Sequence, residues 1–143
     1  MRTVKQLLQI KGSDVWSIGP AASVYKALKL MAEKNIGALV ILDNGRLAGI
    51  FSERDYVRAV ARNRQVSLET PVREFMTPRV ICVHCEQTIE ECMVLMTEKR
   101  IRHLPVLEGE GLVGVISIGD VVKTVISEQE FIIEQLENYI VGS

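Results

Sequence analysis

The sequence predicts a mixed α/β fold made of two helix–strand–strand–helix repeats followed by a C-terminal helix. The main observation is an internal repeat, because residues 18–60 match residues 83–125 without a gap at a shift of 65 positions. Each copy opens with apolar residues at helical spacing and continues with two short apolar runs separated by a tight turn. Chance does not produce this register.

The first helix of each copy begins after a hydroxyl residue that can cap it, Ser23 in copy one and Thr88 in copy two. The apolar residues after each cap recur at the spacing of one helix face. They are Val24, Ala27, Leu28 and Met31 in copy one, and Ile89, Cys92, Met93 and Met96 in copy two. We therefore predict an amphipathic helix in each copy, packed by its apolar face.

Two strands joined by a hairpin are predicted next in each copy. The runs ALVIL and LAGIF flank the turn at 43–45, and HLPVL and LVGVIS flank the turn at 108–111. A second helix follows the serine that ends each second strand. Its predicted inward residues are Tyr56, Val57 and Val60 in copy one and Val121, Val122 and Val125 in copy two.

Segments outside the repeat complete the predicted organisation. The elements VKQLL at 4–8 and VREFM at 72–76 resemble each other at a shift of 68, and VWSI and VICV are expected to add an edge strand to each sheet. We predict repeat 1 at 1–60, a linker at 61–70, repeat 2 at 71–126 and an amphipathic C-terminal helix at 127–143. The tail carries an apolar stripe that needs a partner surface: Phe131, Ile132, Leu136 and Ile140.

Composition argues against several classes of function. The 143-residue chain has a formal net charge of -1, so it offers no strong field to nucleic acid or to an anionic membrane. No stretch approaches the roughly 18 consecutive apolar residues of a membrane span, and the first residues lack the apolar run of a signal peptide. We expect a cytoplasmic protein whose partners include neither nucleic acid nor membrane.

Three cysteines, Cys82, Cys85 and Cys92, are interpreted as packing thiols. Their odd number argues against a disulfide framework. The stretch Cys82-Val83-His84-Cys85 suggests a metal site, but structural zinc usually needs four ligands and the chain has no second C-x-x-C. We therefore expect no metal.

The repeated pattern Ser-x-x-Asp is the strongest candidate for a functional site. It places Ser52 and Asp55 in GIFSERDYV, and Ser117 and Asp120 in GVISIGDVV, where an apolar strand runs into a helix. Such a helix start points unpaired N–H groups at a bound phosphate, and the aspartate can accept both hydroxyls of a ribose. The same pattern is also a capping-box variant that any helix start can use. The residues alone leave both interpretations open.

Two further motifs carry little weight. GEGLVG at 109–114 matches the dinucleotide fingerprint, but it lies in a strand-to-strand hairpin instead of between a strand and a helix. A catalytic set could be assembled from Ser117, His103 and Asp120, yet a serine and an aspartate on one turn usually form a cap. We predict no catalytic residues and no enzyme activity.

The tandem arrangement, ending each time in Gly-apolar-apolar-Ser-x-x-Asp, resembles a pair of cystathionine-β-synthase (CBS) domains, also called a Bateman module. The stretches KNIGALVI, SERD, RIRHLPV and GVISIGDVV are typical of small bacterial proteins that consist of one such pair. The resemblance implies that the two repeats pack about a pseudo-twofold axis and leave two clefts between them. It also implies adenosine ligands in those clefts: AMP, ADP, ATP, NAD or S-adenosylmethionine.

Site residues follow from the resemblance by position. Asp55 and Asp120 would bind ribose, with Ser52 and Ser117 near the phosphate. Charged residues differ between the copies, and they are candidates either for phosphate binding or for solvated surface: Arg54, Arg102 and His103. Apolar residues are candidates for an adenine slot: Val15, Ile36, Val80, Ile81 and Pro105.

The resulting hypothesis is a non-catalytic regulatory module that senses an adenosine ligand, forms a homodimer and signals to a protein target. Ligand binding would shift the arrangement of the copies or subunits only if the ligand binds the alternatives with different affinity. The competing hypothesis is a ligand-independent assembly protein that dimerises through its C-terminal helix.

Overall fold

The computed structural model describes residues 2–62 and 65–141. Residues 63 and 64 of the predicted linker and residues 142 and 143 of the predicted tail lie outside the described residues, as does residue 1. The elements in chain order are α1 (Val4–Lys11), β1 (Ser17–Ile18), α2 (Val24–Lys34), β2 (Ala38–Asp43), β3 (Arg46–Ser52), α3 (Glu53–Arg62), a single 3-10 turn (Val72–Glu74), β4 (Val83–His84), α4 (Ile89–Lys99), β5 (His103–Glu108), β6 (Gly111–Ser117) and α5 (Ile118–Val141).

The chain divides into two compact units. Unit 1 consists of Met1–Asp14 and Cys82–Ser143, and unit 2 consists of Val15–Ile81. Each unit holds one three-stranded sheet; unit 1 contains α1, α4 and α5, and unit 2 contains α2, α3 and the 3-10 turn. The predicted mixed α/β fold with a C-terminal helix is confirmed.

Unit 2 is built on the sheet β1-β2-β3, in which β1 runs parallel to β2 and β2 runs antiparallel to β3. Asn44 and Gly45 adopt positive φ angles of 51° and 81° in the β2–β3 hairpin, as a tight two-residue turn requires. The core of unit 2 consists of Ile18, Val24, Ala27, Met31, Leu39, Ile41, Phe51 and Val72.

Unit 1 repeats this design with the sheet β4-β5-β6, in which β4 is parallel and β6 antiparallel to β5. Both hairpins contain a register irregularity, after Ile41 in β2 and after Val106 in β5. The two-residue strands β1 and β4 confirm the predicted edge strands. The largest fully buried side chains of unit 1 are Ile89, Leu104, Ile116, Val4, Val83 and Val106.

The short element that precedes each repeat in sequence belongs to the unit that holds the other repeat. In unit 1 the Val4 amide donates to the Gln87 carbonyl over 2.9 Å, and in unit 2 the Val72 amide donates to the Ala22 carbonyl over 2.7 Å. These bonds are equivalent under the repeat, because position 72 corresponds to 4 and position 22 to 87. The compact units therefore differ from the sequence repeats in the placement of α1 and of the 3-10 turn.

The predicted caps of the first helices are confirmed. The Ser23 side chain accepts a hydrogen bond from the Lys26 amide at 3.1 Å, and Thr88 accepts one from the Glu91 amide at 3.2 Å. Each hydroxyl satisfies an N–H group that has no partner within the helix. The caps set the starts of α2 and α4 where the hydroxyl residues predicted them.

The inward face of the second helices was wrongly predicted for three valines. Val57, Val60 and Val122 are 65%, 43% and 48% exposed, whereas Asp55 and Ala59 are the buried residues of α3. The hydrogen bonds that Asp55 accepts turn this carboxylate towards the interior. That rotation moves the valines two and five positions later away from the core.

The helix after β6 continues without a break through the predicted tail. α5 is 24 residues long, whereas its counterpart α3 is 10 residues long. Its first turns include the buried Val121, and its later turns expose an apolar stripe of Phe131, Ile132, Ile133, Leu136, Tyr139 and Ile140.

Candidate functional site

At the end of β3, the chain passes directly from strand to helix and forms a reciprocal cap. The Ser52 amide and hydroxyl donate to Asp55 Oδ2 over 2.8 and 3.0 Å, and the Asp55 amide donates to Ser52 Oγ over 3.2 Å. The capping interpretation of Ser-x-x-Asp is therefore correct in this copy. A cap of this kind also holds the carboxylate in one position beside the first turn of α3.

Thr77 also contacts Asp55, and the sequence analysis did not predict this residue as part of the site. Its hydroxyl donates to Asp55 Oδ1 over 3.1 Å, and its backbone forms a bridge of two hydrogen bonds with Ile50. Gly49 lies under this crossing, since a Cβ atom there would come within 2.9 Å of the Thr77 carbonyl oxygen. Within residues 2–62 and 65–141, the donors that bind Asp55 are a backbone amide and two hydroxyls, and the residue is 9% exposed.

At the end of β6, Ser117 and Asp120 form the equivalent cap. The Ser117 amide donates to Asp120 Oδ2 over 2.8 Å, and the Asp120 amide donates to Ser117 Oγ over 3.2 Å. Here the second donor to the carboxylate is a cation, because Lys11 Nζ lies 2.6 Å from Asp120 Oδ2. The same ammonium donates to the Val115 carbonyl over 2.6 Å. Lys11 was not among the predicted site residues.

The environment of Asp120 lowers its pKa. Partial burial acts in the opposite direction and would raise the pKa, because it disfavours the charged form. The hydrogen bond from Lys11, the bond from the Ser117 amide and the charge of Lys11 together outweigh burial, so the net shift is downward. Asp120 is therefore ionised at neutral pH and held against a cation.

The other predicted residues of unit 2 occupy separate positions. Arg54 is exposed in the first turn of α3, and four half-buried residues lie outside the strands: Val15, Ile36, Val80 and Ile81. Ile36 lines a cavity of about 260 Å³ together with Leu28, Met31, Ala32, Asn35, Gly37 and Glu53. Val15, Val80 and Ile81 do not belong to the lining of this cavity.

In unit 1 the predicted residues gather around the start of β5. Half-buried His103 pairs with Ser117 in the β5–β6 register, and the carbonyl of exposed Arg102 accepts the Ile118 amide over 2.8 Å. Both residues therefore lie near the first turn of α5. Pro105 is buried within β5, opposite Val115.

The three cysteines are free thiols whose pKa values are raised, chiefly by burial. The pKa of Cys92 rises to about 11, so this thiol is protonated at neutral pH. Among residues 2–62 and 65–141, no three His, Cys, Asp or Glu side chains are grouped so that they could hold a metal ion.

In the part of the chain that the structure describes, no helix is both long enough and apolar enough to span a bilayer.

A protein-family model described as CBS domain matches the chain twice, at residues 5–62 and 72–127. The chain belongs to the CBS-domain family. Each match contains one Ser-x-x-Asp helix start, so the two capped carboxylates are equivalent features of two CBS repeats. The predicted family resemblance is confirmed.

One curated relative is the mitochondrial CBS domain-containing protein CBSX3 of Arabidopsis thaliana, 42% identical over 125 residues. The alignment covers 84% of this chain and 61% of that protein. Among solved structures, a CBS-domain protein from Burkholderia ambifaria MC40-6 is 49% identical with a TM-score of 0.85, covering 90% of this chain and 96% of the other.

Two solved CBS proteins contain adenosine compounds. The CBS domain pair of protein MJ0100, in complex with 5′-methylthioadenosine and S-adenosyl-L-methionine, is 25% identical with a TM-score of 0.78, covering 90% of this chain and 98% of the other. Protein PAE2072 from Pyrobaculum aerophilum, complexed with AMP, is 25% identical with a TM-score of 0.73, covering 83% and 89% of the respective chains.

Proposed function

We propose that this chain is a non-catalytic regulatory module that binds adenosine-containing ligands through Asp55 and Asp120. The observation that carries the proposal is the end of β6, where a partly exposed carboxylate is fixed beside the first turn of α5. A carboxylate can accept both hydroxyls of a ribose. The adenosine compounds in two solved CBS proteins support the same ligand class.

Asp120 is the better placed of the two carboxylates. Its side chain is 23% exposed, and its contacts with Ser117 and Lys11 are made through Oδ2, so that Oδ1 accepts no hydrogen bond from the described residues. Asp55 is more buried, and its Oδ1 already accepts from Thr77. A ribose at Asp55 would have to replace the threonine hydroxyl. We therefore expect tighter binding at Asp120.

Arg102 and His103 are the proposed phosphate contacts at the Asp120 end. Their support is the strand register, which places His103 opposite Ser117 and so near the start of α5. A guanidinium can grip a phosphate with two parallel hydrogen bonds. In unit 2, the first-turn position of Arg54 supports the equivalent proposal.

The adenine contacts and the identity of the ligand are also proposals. The cavity beside Ile36 combines apolar side chains such as Leu28 and Met31 with the polar Asn35 and Glu53, and Ile36 is one proposed adenine contact. The other proposed adenine contacts are Val15, Val80, Ile81 and Pro105. The choice among AMP, ADP, ATP, NAD and S-adenosylmethionine, the cytoplasmic location and the protein target also stay predictions.

Thermal unfolding with and without each adenosine compound tests the proposal. A compound at a hundredfold excess over its dissociation constant should raise the free energy of unfolding by about 2.7 kcal/mol. Asp120→Ala should abolish most of this stabilisation, and Asp55→Ala should remove less. If none of the five compounds raises the melting temperature, the chain is not an adenosine sensor.

A second candidate function, ligand-independent assembly, is favoured by the exposed stripe on α5. Phe131, Leu136 and Tyr139 are 60%, 57% and 79% exposed, and apolar side chains grouped on one helix are typical of an interface. We propose that a second copy covers this stripe, giving the predicted homodimer.

The mass of the protein by light scattering tests this second candidate. Replacing Leu136 with lysine should give a monomer, because a charge would be buried in the interface. The matched control is Glu134→Lys on the polar side of α5, which should leave the mass unchanged. A wild-type monomer at micromolar concentration would eliminate the assembly hypothesis.

A further inference from the structure

Lys11 occupies a position in unit 1 that the pattern of the repeat does not predict. α1 runs to Lys11 and ends at Gly12, which has a φ of 99°. From this helix end the lysine side chain reaches both the Val115 carbonyl and Asp120 Oδ2, each at 2.6 Å. The lysine therefore lies beside the carboxylate that we propose as the ribose acceptor.

Within the described residues, Lys11 and Asp120 each have hydrogen-bonding capacity that is not used. An ammonium group has three donors, and Lys11 uses two of them within the described residues. The bonds to the Asp120 carboxylate likewise all reach Oδ2, so that Oδ1 accepts none from the described residues. The side chains are 35% and 23% exposed, so a ligand can approach both groups.

We propose that Lys11 makes the Asp120 site selective for adenosine compounds that carry a 5′-phosphate over uncharged adenosines. This inference rests on the proposed function, since it assumes that Asp120 accepts the ribose. The proposal requires a nucleoside bound through Oδ1 to direct its 5′ substituent towards the ammonium, whose flexible stem can follow a phosphate oxygen.

The charge balance at the site gives the direction of the selectivity. Without Lys11, the negative charge of Asp120 would repel a phosphate while still accepting ribose hydroxyls. With Lys11, the pair is neutral and the third N–H donor can form a charge-assisted bond to the phosphate. An uncharged 5′-thiomethyl group gains nothing from this donor. Lys11 should therefore change the affinity for the phosphate group and not the affinity for the adenosine part that the compounds share.

The test compares AMP with 5′-methylthioadenosine, which share the base and ribose and differ at the 5′ position. Calorimetric titration of the full chain should give a site-specific affinity for each compound, identified as the component that Asp120→Asn removes. Lys11→Met should lower the ratio of AMP affinity to 5′-methylthioadenosine affinity by about tenfold, whereas Lys11→Arg should keep it within about threefold of wild type. AMP affinity of the wild type should also fall more steeply with salt than that of Lys11→Met.

Arg79→Met is the matched control, because Arg79 is exposed in unit 2 and corresponds to Lys11 at the shift of 68. It should leave the ratio at the Asp120 site unchanged. If Asp120→Asn weakens both compounds but Lys11→Met leaves their ratio at the wild-type value, the selectivity inference is wrong and the proposed function stands. If neither compound binds, or Asp120→Asn affects neither, both are wrong at this site.

Discussion

The Asp55 end of unit 2 and the Asp120 end of unit 1 have the same cap but a different second donor. Both carboxylates accept the amide of the serine three residues earlier, at 2.8 Å in each copy. Asp55 then receives the hydroxyl of Thr77, whereas Asp120 receives the ammonium of Lys11. The neutral donor accompanies a buried carboxylate and the charged donor a partly exposed one. The cap is the shared structural role, and the second donor is where the sites diverge.

A proline accounts for this divergence. Pro78 disfavours a helical Thr77, so the chain extends there and pairs with Ile50 through its backbone. The equivalent stretch of unit 1 has no proline, and α1 continues to Lys11. The Val115 carbonyl, equivalent to that of Ile50, consequently accepts a lysine side chain instead of a backbone amide.

The largest expected effect is the difference in unfolding free energy between the Asp55→Ala and Asp120→Ala variants. Asp55→Ala should cost about 2–4 kcal/mol, because it leaves the half-buried Ser52 amide and two hydroxyls without their acceptor. Asp120→Ala should cost about 1 kcal/mol, close to the loss of a helix cap, because this carboxylate is partly exposed. Urea unfolding of both variants measures the difference. Equal losses would show that the burial contrast has no energetic consequence.

The equivalent glycines Gly49 and Gly114 should give the next largest effect. A Cβ atom at Gly49 would lie 2.6 Å from Met76 Sδ and 2.9 Å from the Thr77 carbonyl oxygen, whereas at Gly114 its nearest neighbours would be atoms of the Leu8 side chain, the first at 2.8 Å. Because backbone yields less than a side chain, Gly49→Ala should cost about 2–3 kcal/mol and Gly114→Ala about 1 kcal/mol. Melting temperatures of the two variants test this order. A larger loss of stability at Gly114 than at Gly49 would contradict it.

Thr77→Val should have a smaller effect, about 1 kcal/mol, because it removes one hydrogen bond to Asp55 while keeping the shape of the side chain. Gln9 corresponds to Thr77 at the shift of 68 and is exposed on α1, so Gln9→Ala is the matched control and should be nearly neutral. Chemical unfolding compares the two. A neutral Thr77→Val would mean that the hydroxyl does not stabilise Asp55.

The smallest expected effect is the pH dependence of the Lys11 pair. The folded-state pKa of Asp120 is lowered, so its stabilising contribution is complete above the unfolded-state value near 4 and is lost as the pH falls through the folded-state pKa. Wild type should exceed Lys11→Met in unfolding free energy by less than about 1 kcal/mol at pH 6, and by progressively less below pH 4. Urea unfolding across this range measures the gap. A gap that widens towards low pH would contradict the proposed pairing.

Local physical rules predicted much of this protein. Ser23 and Thr88 cap helices because a hydroxyl at that position satisfies a free amide, whatever the rest of the fold does. The repeat likewise placed Asp55 and Asp120 at equivalent helix starts, since equal local sequence gives equal local structure. The inward positions of Val57 and Val122 were wrong because the packing of each helix depends on residues distant in sequence.

Sequence alone therefore determined the two repeats, their caps and hairpins, and the pair of carboxylates at strand ends, because these depend on interactions within a few residues. Only the tertiary structure decided that α1 joins the unit of the second repeat and that Lys11 meets Asp120, 109 positions later in the chain. Such contacts depend on which distant segments fold together and on how far α1 extends, since this helix ends at Lys11. No local pattern encodes that choice, and it is this choice that makes the two ends chemically different.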